Sequence, residues 1–246
     1  MHLFLTSSPC TESPLETQLP FILNPANRFV EYLRNCGFAH RPGVLVCADP
    51  DAHAHNDRML REFGDALAWA GMPLSRFTVL DSRNPGQSLS CIQDAAFVML
   101  AGGHVPIQNR FLHAVGLKAA MHDFKGTVVG ISAGSMNAAQ TVYAQPEETG
   151  ESLDPDYDRF PEGLGLTRIQ VLPHLNMVRH TMLDGRRLFE DITFPDSHGH
   201  TFLAIPDGSF VYADGNHTLL CGEGWQIRDG RMTQLTSDGQ ETVLEG

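Results

Sequence analysis

The stretch Gly126-Thr-Val-Val-Gly-Ile-Ser-Ala-Gly-Ser135 decides the fold that we expect for this chain. Residues 127–131 form a short, apolar, β-branched run, which is typical of a buried strand in a parallel sheet. The run stops at Ser132, and small residues that tolerate a helix follow it. A strand, a sharp turn and a helix in this order predict that the serine hydroxyl lies above the edge of a sheet.

The turn fits the pattern G-x-S-x-G at Gly130, Ser132 and Gly134. Glycine at both ends lets the chain double back without side-chain collisions, in a conformation that other residues rarely adopt. The amide of Ala133 would then point at an oxyanion formed beside the serine. The pattern also occurs by chance in ordinary tight turns. The prediction of a nucleophile turn therefore depends on the buried strand before the pattern and the helix after it. Ser132 is therefore the candidate nucleophile.

Strands and helices alternate over the first half of the chain. The predicted strands are residues 3–6, 43–48, 77–80, 96–101 and 127–131, and the predicted helices are residues 24–36, 57–70 and 107–124. Repeated β-α units predict an α/β fold with a mainly parallel, doubly wound sheet and helices on both faces. Ligands of such sheets bind at the carboxyl ends of the strands, where Gly102-Gly103 and Ser132 both lie.

The second half of the chain begins with an irregular, acidic stretch over residues 143–162, predicted to be a long surface loop. It is either a solvent-exposed loop, which is the interpretation we favour, or a flap (144–162) that covers the active site. A strand (166–172), a helix (182–191) and a strand (202–205) follow. Short strands with Asp-Gly turns then predict a C-terminal antiparallel β extension, over residues 209–213, 218–221, 225–228 and 232–235. We expect residues 1–246 to form a single domain.

Composition narrows the class of protein. Apolar residues make up 42% and charged residues 19%, which suits a globular protein, and 17 basic against 29 acidic residues give a net charge of −12. That charge argues against nucleic acid or an anionic membrane as partners, and leaves the oligomeric state undetermined. No signal segment or membrane-spanning stretch is evident, so we expect a cytoplasmic protein. The odd number of cysteines, without C-x-x-C spacing, argues against a disulfide framework or zinc site.

Two pairs of histidines have a spacing that could bind a metal. His53 with His55, and His198 with His200, have i, i+2 spacing that would align two rings on a strand. No third ligand is clustered with either pair, and both pairs lie in segments that resemble loops or helix starts. A solvated surface is the better interpretation, so we expect neither a metal nor another cofactor.

A serine nucleophile needs a base, and the base needs an acid that orients it. His174 and Asp207 are the best-placed candidates, because each lies at the carboxyl end of a predicted strand beside a proline that stiffens the backbone. The chain order Ser132, His174, Asp207 differs from the Ser-Asp-His order of α/β-hydrolases. Asp214, in Tyr-Ala-Asp-Gly, is an alternative acid, although a hairpin turn explains Asp-Gly better there.

These motifs resemble the peptidase E (aspartyl dipeptidase) family, which belongs to the same serine-peptidase group as cyanophycinase. The resemblance covers most of the chain and rests on Gly-Ile-Ser132-Ala-Gly-Ser, an upstream Ala-Gly-Gly103 loop, Pro-His174 after a long insertion, and Ile-Pro-Asp207-Gly. It implies a class I glutamine-amidotransferase-like fold with serine in place of the usual cysteine nucleophile. It further implies that the amides of Gly103 and Ala133 stabilise an oxyanion, and that a short peptide with an acidic N-terminal residue is hydrolysed.

Two positions depart from the family's pattern. Peptidase E carries glutamate in its Leu-Pro-Glu-Gly segment, where this chain has Asp207, so the backbone must come closer for the shorter acid to reach His174. The family's Gly-Gly-Asn-Thr loop is here Gly102-Gly103-His104-Val-Pro, which makes His104 a candidate for lining the substrate pocket. The resemblance therefore implies the family's chemistry more directly than its aspartyl specificity.

Two other functions share these features. A serine esterase or amidase acting on a non-peptide acyl substrate would use the same triad, and a panel of aminoacyl and ester substrates would separate it from a peptidase. A non-catalytic binding module of the same fold would not label with a fluorophosphonate. Arg179, Arg186 and Arg187 could bind a substrate carboxylate, although a solvated helix face explains each of them individually.

Overall fold

The computed structural model describes residues 1–14 and 17–244 of the chain. Its strands are β1 (His2–Thr6), β2 (Cys10–Glu12), β3 (Phe21–Leu23), β4 (Pro42–Val46), β5 (Arg76–Leu80), β6 (Phe97–Leu100), β7 (Thr127–Ile131), β8 (Gln170–Leu172), β9 (Met182–Leu183), β10 (Arg186–Arg187), β11 (Thr201–Ala204), β12 (Phe210–Ala213), β13 (Thr218–Cys221), β14 (Gly224–Arg228), β15 (Arg231–Thr236) and β16 (Glu241–Val243). Its α-helices are α1 (Phe29–Asn35), α2 (His53–Trp69), α3 (Ser88–Asp94), α4 (Val105–Ala114), α5 (Leu117–Met121), α6 (Ala133–Asn137), α7 (Leu175–Val178) and α8 (Phe194–Asp196). Short 3₁₀ turns lie at Ala26–Arg28 and Pro85–Gln87, and a π-helical segment lies at Leu188–Thr193.

The central sheet has eight strands in the order β16-β13-β12-β1-β7-β6-β4-β5. In the run β1-β7-β6-β4-β5 every neighbouring pair is parallel. The carboxyl ends of these five strands therefore meet at one edge of the sheet, which we call the carboxyl edge. On the other side of β1, the pairs with β12, β13 and β16 are antiparallel. The predicted α/β fold with a mainly parallel sheet is confirmed.

Helices cover both faces of the central sheet, because alternate residues of each strand face opposite ways. In β1, Phe4 joins the core cluster on one face, which includes Phe29 of α1 and residues of α2. Leu5 joins the cluster on the other face, which includes Leu112 of α4 and residues of α3 and α5. Leu5 and Phe4 are fully buried, so the first strand of the chain lies at the centre of the core.

A second sheet has the order β15-β14-β11-β8, in which β8 and β11 are parallel and the other pairs antiparallel. Its apolar cluster contains Phe202 and Ile227, together with Val105 of α4 and Met136 of α6. The predicted C-terminal strands are therefore divided between two sheets. β12 and β13 extend the central sheet, whereas β14 and β15 complete the second one. Within residues 1–14 and 17–244, no helix combines the length and the apolar character needed to cross a membrane.

Candidate active site

Ser132 lies on the turn between β7 and α6, with φ 48° and ψ −113°. This conformation strains any residue other than glycine, as expected for a sharp turn that exposes a nucleophile. The flanking glycines are required by space. A Cβ atom at Gly134 would lie 2.2 Å from the carbonyl oxygen of Leu100, and one at Gly130 would lie 2.8 Å from the amide nitrogen of Ser135.

The carboxyl end of β1 holds this turn in place. The Thr6 carbonyl accepts hydrogen bonds from the Ser132 amide (2.9 Å) and the Ser135 hydroxyl (2.8 Å). The Thr6 amide donates to the Ser135 Oγ at 2.8 Å, and the Thr6 hydroxyl donates to the Gly130 carbonyl at 2.7 Å. Thr6 and Ser135 are both buried, so these bonds fix the turn in a setting where losing them is costly.

His174 and Asp207 form a hydrogen-bonded pair at the carboxyl edge. His174 lies between β8 and α7, and its Nδ1 is 2.8 Å from Oδ1 of Asp207, which follows β11. With the carboxylate as acceptor, the proton of the neutral imidazole belongs on Nδ1, which leaves Nε2 as a base. The shorter acid thus reaches the imidazole directly. Both side chains keep solvent-exposed surface, 26% for His174 and 48% for Asp207.

Ser7, the first residue after β1, connects the two partners of this pair. Its hydroxyl accepts a hydrogen bond from the His174 amide and donates one to the Ile205 carbonyl, two residues before Asp207, both at 2.8 Å. Ser7 is fully buried. In the sequence, Ser7 is one residue of a polar Ser-Ser-Pro turn. The signal that could have identified it is its position directly after β1, the strand that ends beside the turn at Ser132.

Ser132, His174 and Gly103 line one cavity of about 160 Å³. Among the described residues, neither the Gly103 amide nor the Ala133 amide donates a hydrogen bond to another protein group. No hydrogen bond joins the Ser132 hydroxyl to His174 within this part of the chain. In enzymes without substrate, catalytic hydrogen bonds are often long and become shorter only when substrate binds. The missing hydrogen bond is therefore compatible with Ser132 and His174 acting together.

Asp214, the alternative acid, lies at the opposite edge of the central sheet. It follows β12, whose last residue Ala213 pairs with Leu3 near the start of β1. Its Oδ1 accepts hydrogen bonds from the amides of Asn216 (2.8 Å) and His217 (2.9 Å). These two bonds lower the pKa of Asp214 below its ordinary value. The residue therefore has the role of a turn former.

The start of the acidic stretch, predicted to be either a solvated loop or a flap, lies against the cavity, whereas residues 147–150 and 153–156 are exposed. Gln145 and Pro146 are buried and, with Glu147, line the cavity. A single carboxylate organises this part of the loop. Glu151 accepts hydrogen bonds from the amides of Glu147 (2.9 Å) and Glu148 (3.0 Å) through Oε2, and its Oε1 lies 2.7 Å from Nε2 of His104.

His104 consequently points toward this loop, and the described cavity lining does not include it. His104, Glu148 and Glu151 bring potential metal-ligand atoms within 4.8 Å of one another. However, both oxygens of Glu151 already hold the imidazole and two amides, which accounts for the cluster without an ion.

The other polar candidates have partners of their own. His53 Nε2 lies 2.8 Å from the Ser82 hydroxyl, and His200 stacks on Phe160. His55 contacts Arg58, and His198 lies against the Pro195 carbonyl. Of the arginines, Arg179 lies over the Trp225 ring, Arg186 donates to the Ser152 carbonyl and Arg187 pairs with Asp191.

Comparison with known proteins places these features in context. The family model of peptidase family S51 matches residues 45–221, a range that includes Ser132, His174 and Asp207. Among solved structures, the fold is similar to that of a Listeria monocytogenes EGD-e protein described as a candidate peptidase E. The TM-score is 0.57 at 14% identity, over 96% of this chain and 98% of that one. No curated protein sequence matched the chain.

Proposed function

The chain belongs to peptidase family S51, the peptidase E family, and we propose that it is a serine peptidase that cleaves short peptides with Ser132, His174 and Asp207. The observation that carries the proposal is the 2.8 Å contact between His174 and Asp207, with the imidazole and Ser132 lining the same cavity. Nucleophile, base and orienting acid are the three parts that acyl transfer requires.

In the proposed reaction, Ser132 Oγ attacks the carbonyl carbon of the scissile peptide bond while His174 Nε2 takes the hydroxyl proton. Asp207 stabilises the resulting imidazolium. The tetrahedral intermediate collapses, the C–N bond breaks and His174 returns the proton to the leaving amine. Water then attacks the acyl-enzyme with His174 as base again, which releases the second product and restores the serine.

The Gly103 and Ala133 amides supply the oxyanion donors in this proposal. Ala133 directly follows Ser132 in the chain, and Gly103 lines the same cavity as the serine. Neither amide is used elsewhere in the described protein. Removing one donor of this kind typically costs about 3–4 kcal/mol of transition-state stabilisation. A Cβ at Gly103 would lie 2.5 Å from that of Ala48, so the amide is held close to the neighbouring strand end.

The acidic first residue implied by the resemblance stays a prediction. An acidic side chain would be matched best by arginine or lysine, and within the described part of the chain neither residue type lines the cavity. Comparing hydrolysis of peptides that begin with aspartate and with leucine tests this preference directly.

The catalytic assignment is tested by fluorophosphonate labelling and peptide hydrolysis. Ser132→Ala should lose both while remaining folded, and Ser90→Ala, which changes an exposed helical serine, should keep both. Asp207→Asn should lower kcat by about 10⁴-fold, because it favours the wrong imidazole tautomer. Asp207→Glu should retain more activity, and Asp214→Asn should match the wild type.

Three results would contradict this proposal. Hydrolysis by Ser132→Ala at the wild-type rate would remove the nucleophile assignment. Full activity of Asp207→Asn, together with an inactive Asp214→Asn, would move the acid to Asp214. A wild-type protein that is labelled but cleaves only esters would favour the esterase.

A further inference from the structure

The walls of the catalytic cavity differ in character from an acid-binding pocket. The lining includes five apolar side chains besides two prolines: Val105, Met136, Val178, Leu183 and Leu188. Glu147 is the carboxylate among the lining residues. A cavity of about 160 Å³ corresponds to roughly five water molecules at about 30 Å³ each, which is room for one medium-sized apolar side chain.

Glu147 is held at the mouth of this cavity. Its amide donates to Glu151, which is itself fixed by His104, and Glu147 Oε1 accepts a hydrogen bond from the Val105 amide at 3.3 Å. The buried Pro146 before it further restricts the backbone. The carboxylate therefore has a defined position on the same wall as the apolar side chains.

This carboxylate lacks a cationic partner. Over the described residues, Glu147 forms no ion pair with lysine, arginine or histidine within 4.0 Å. Glu147 is exposed at the mouth, and partial burial among its neighbours raises its pKa above the ordinary value. Removing part of the water around a carboxylate that has no cationic partner costs free energy. A cation that enters the cavity and pairs with the carboxylate offsets that cost.

We infer that Glu147 binds the free α-ammonium group of the substrate, and that the apolar wall receives the side chain of its first residue. The substrates are then short peptides with a free N-terminus and an apolar N-terminal residue, cleaved after that residue. This inference rests on the proposed function, because it assumes that Ser132 attacks the carbonyl next to the bound side chain. A lysine or arginine side chain is the other source of a cation.

The substrate test uses four anilides: leucine, N-acetyl-leucine, aspartate and N-acetyl-lysine p-nitroanilide. The wild type should prefer the leucine anilide over its acetylated form by about 10- to 100-fold in kcat/KM, the range expected for a charge-assisted hydrogen bond. In Glu147→Gln this ratio should fall toward one, mainly through a higher KM for the free amine. Glu148→Gln, which removes a neighbouring charge of the same loop outside the cavity lining, should keep the wild-type ratio.

A second measurement does not depend on turnover. Leucinamide should slow fluorophosphonate labelling of Ser132 in the wild type, N-acetyl-leucinamide should not, and Glu147→Gln should lose this protection. Labelling without selective protection, or a preference for the aspartate anilide, would overturn the inference while leaving the proposed function intact. Preference for N-acetyl-lysine anilide would overturn the α-ammonium assignment. Failure of Ser132 to label at all would instead contradict the proposed function.

Discussion

Replacing Ser7 by alanine should damage both the stability and the activity of the protein. The change removes one buried hydroxyl that pairs with the His174 amide and the Ile205 carbonyl. Each buried group that loses its partner costs about 1–3 kcal/mol. With two groups affected, the free energy of unfolding should fall by about 2–6 kcal/mol. The His174–Asp207 pair also loses its anchor, and a displacement of about 1 Å at a catalytic group can cost about 100-fold in rate.

The assay combines urea unfolding, followed by tryptophan fluorescence, with kcat for a good peptide substrate measured well below the unfolding transition. Ser8→Ala is the matched control, because its hydroxyl makes only two long contacts, 3.4 Å to the Cys10 carbonyl and 3.5 Å from the Cys10 amide. It should change the free energy of unfolding by no more than about 0.5 kcal/mol. If Ser7→Ala behaves like Ser8→Ala in both measurements, the reasoning that Ser7 positions the His174–Asp207 pair is wrong.

Further predictions concern packing, pH and cooperativity. Gly134→Ala should destabilise the protein by about 1–3 kcal/mol, because its Cβ would collide with the Leu100 carbonyl. Gly64→Ala in α2, where the nearest contact of the new Cβ is at 3.7 Å, should stabilise it by about 0.5–1 kcal/mol. Equal effects of the two variants in urea unfolding would contradict this. Burial acts to raise the pKa of Asp81, but hydrogen bonds from Arg83 hold it below its ordinary 3.8. The contribution of ionised Asp81 to stability is therefore present above pH 3.8 and is lost as pH falls through its folded-state pKa. The difference in unfolding free energy between wild type and Asp81→Asn should shrink as pH falls from 5 to 3; a constant difference would refute this. We propose that residues 1–246 form one domain, so fluorescence and circular dichroism should follow a single unfolding transition.

Short-range patterns were sufficient for much of the fold. The strand predicted at residues 127–131 coincides with β7, and the last four predicted strands match β12 to β15 closely. Their division between two sheets could not be predicted, because strand pairing depends on contacts between residues far apart in the chain. Leu220 packs in a cluster of the central sheet, and Ile227, seven residues later, packs in that of the second sheet.

Backbone conformation explains the errors in the helices. The helix predicted at residues 107–124 is divided into α4 and α5 by Gly116, which has φ 64°. The helix predicted at residues 182–191 begins instead with a hairpin, because Asp184 and Gly185 both adopt positive φ and reverse the chain between β9 and β10. Apolar periodicity alone contains no information on such left-handed positions.

For the site, sequence reasoning selected residues that the structure brings to one edge, but it did not identify the residues that support them. Ser132, His174 and Asp207 each carry reactive groups beside a recognisable turn, whereas Ser7 acts only through contacts with His174 and Ile205. Glu147 was hidden within an acidic stretch that has no periodicity. Only the folded position of the loop shows that this carboxylate faces the cavity.

The contacts of Ser7 also determine when the site can form during translation. Ser7 is synthesised well before its partners, because His174 and Ile205 follow it by 167 and 198 residues. At about 5–20 residues per second, the ribosome needs on the order of 10–40 s to produce the second partner after the first strand has emerged. During that interval β1 can pair with β7, which follows earlier in the chain, but the histidine and its acid are not yet anchored. A nascent chain can therefore form the turn at Ser132 before His174 and Asp207 are anchored beside it.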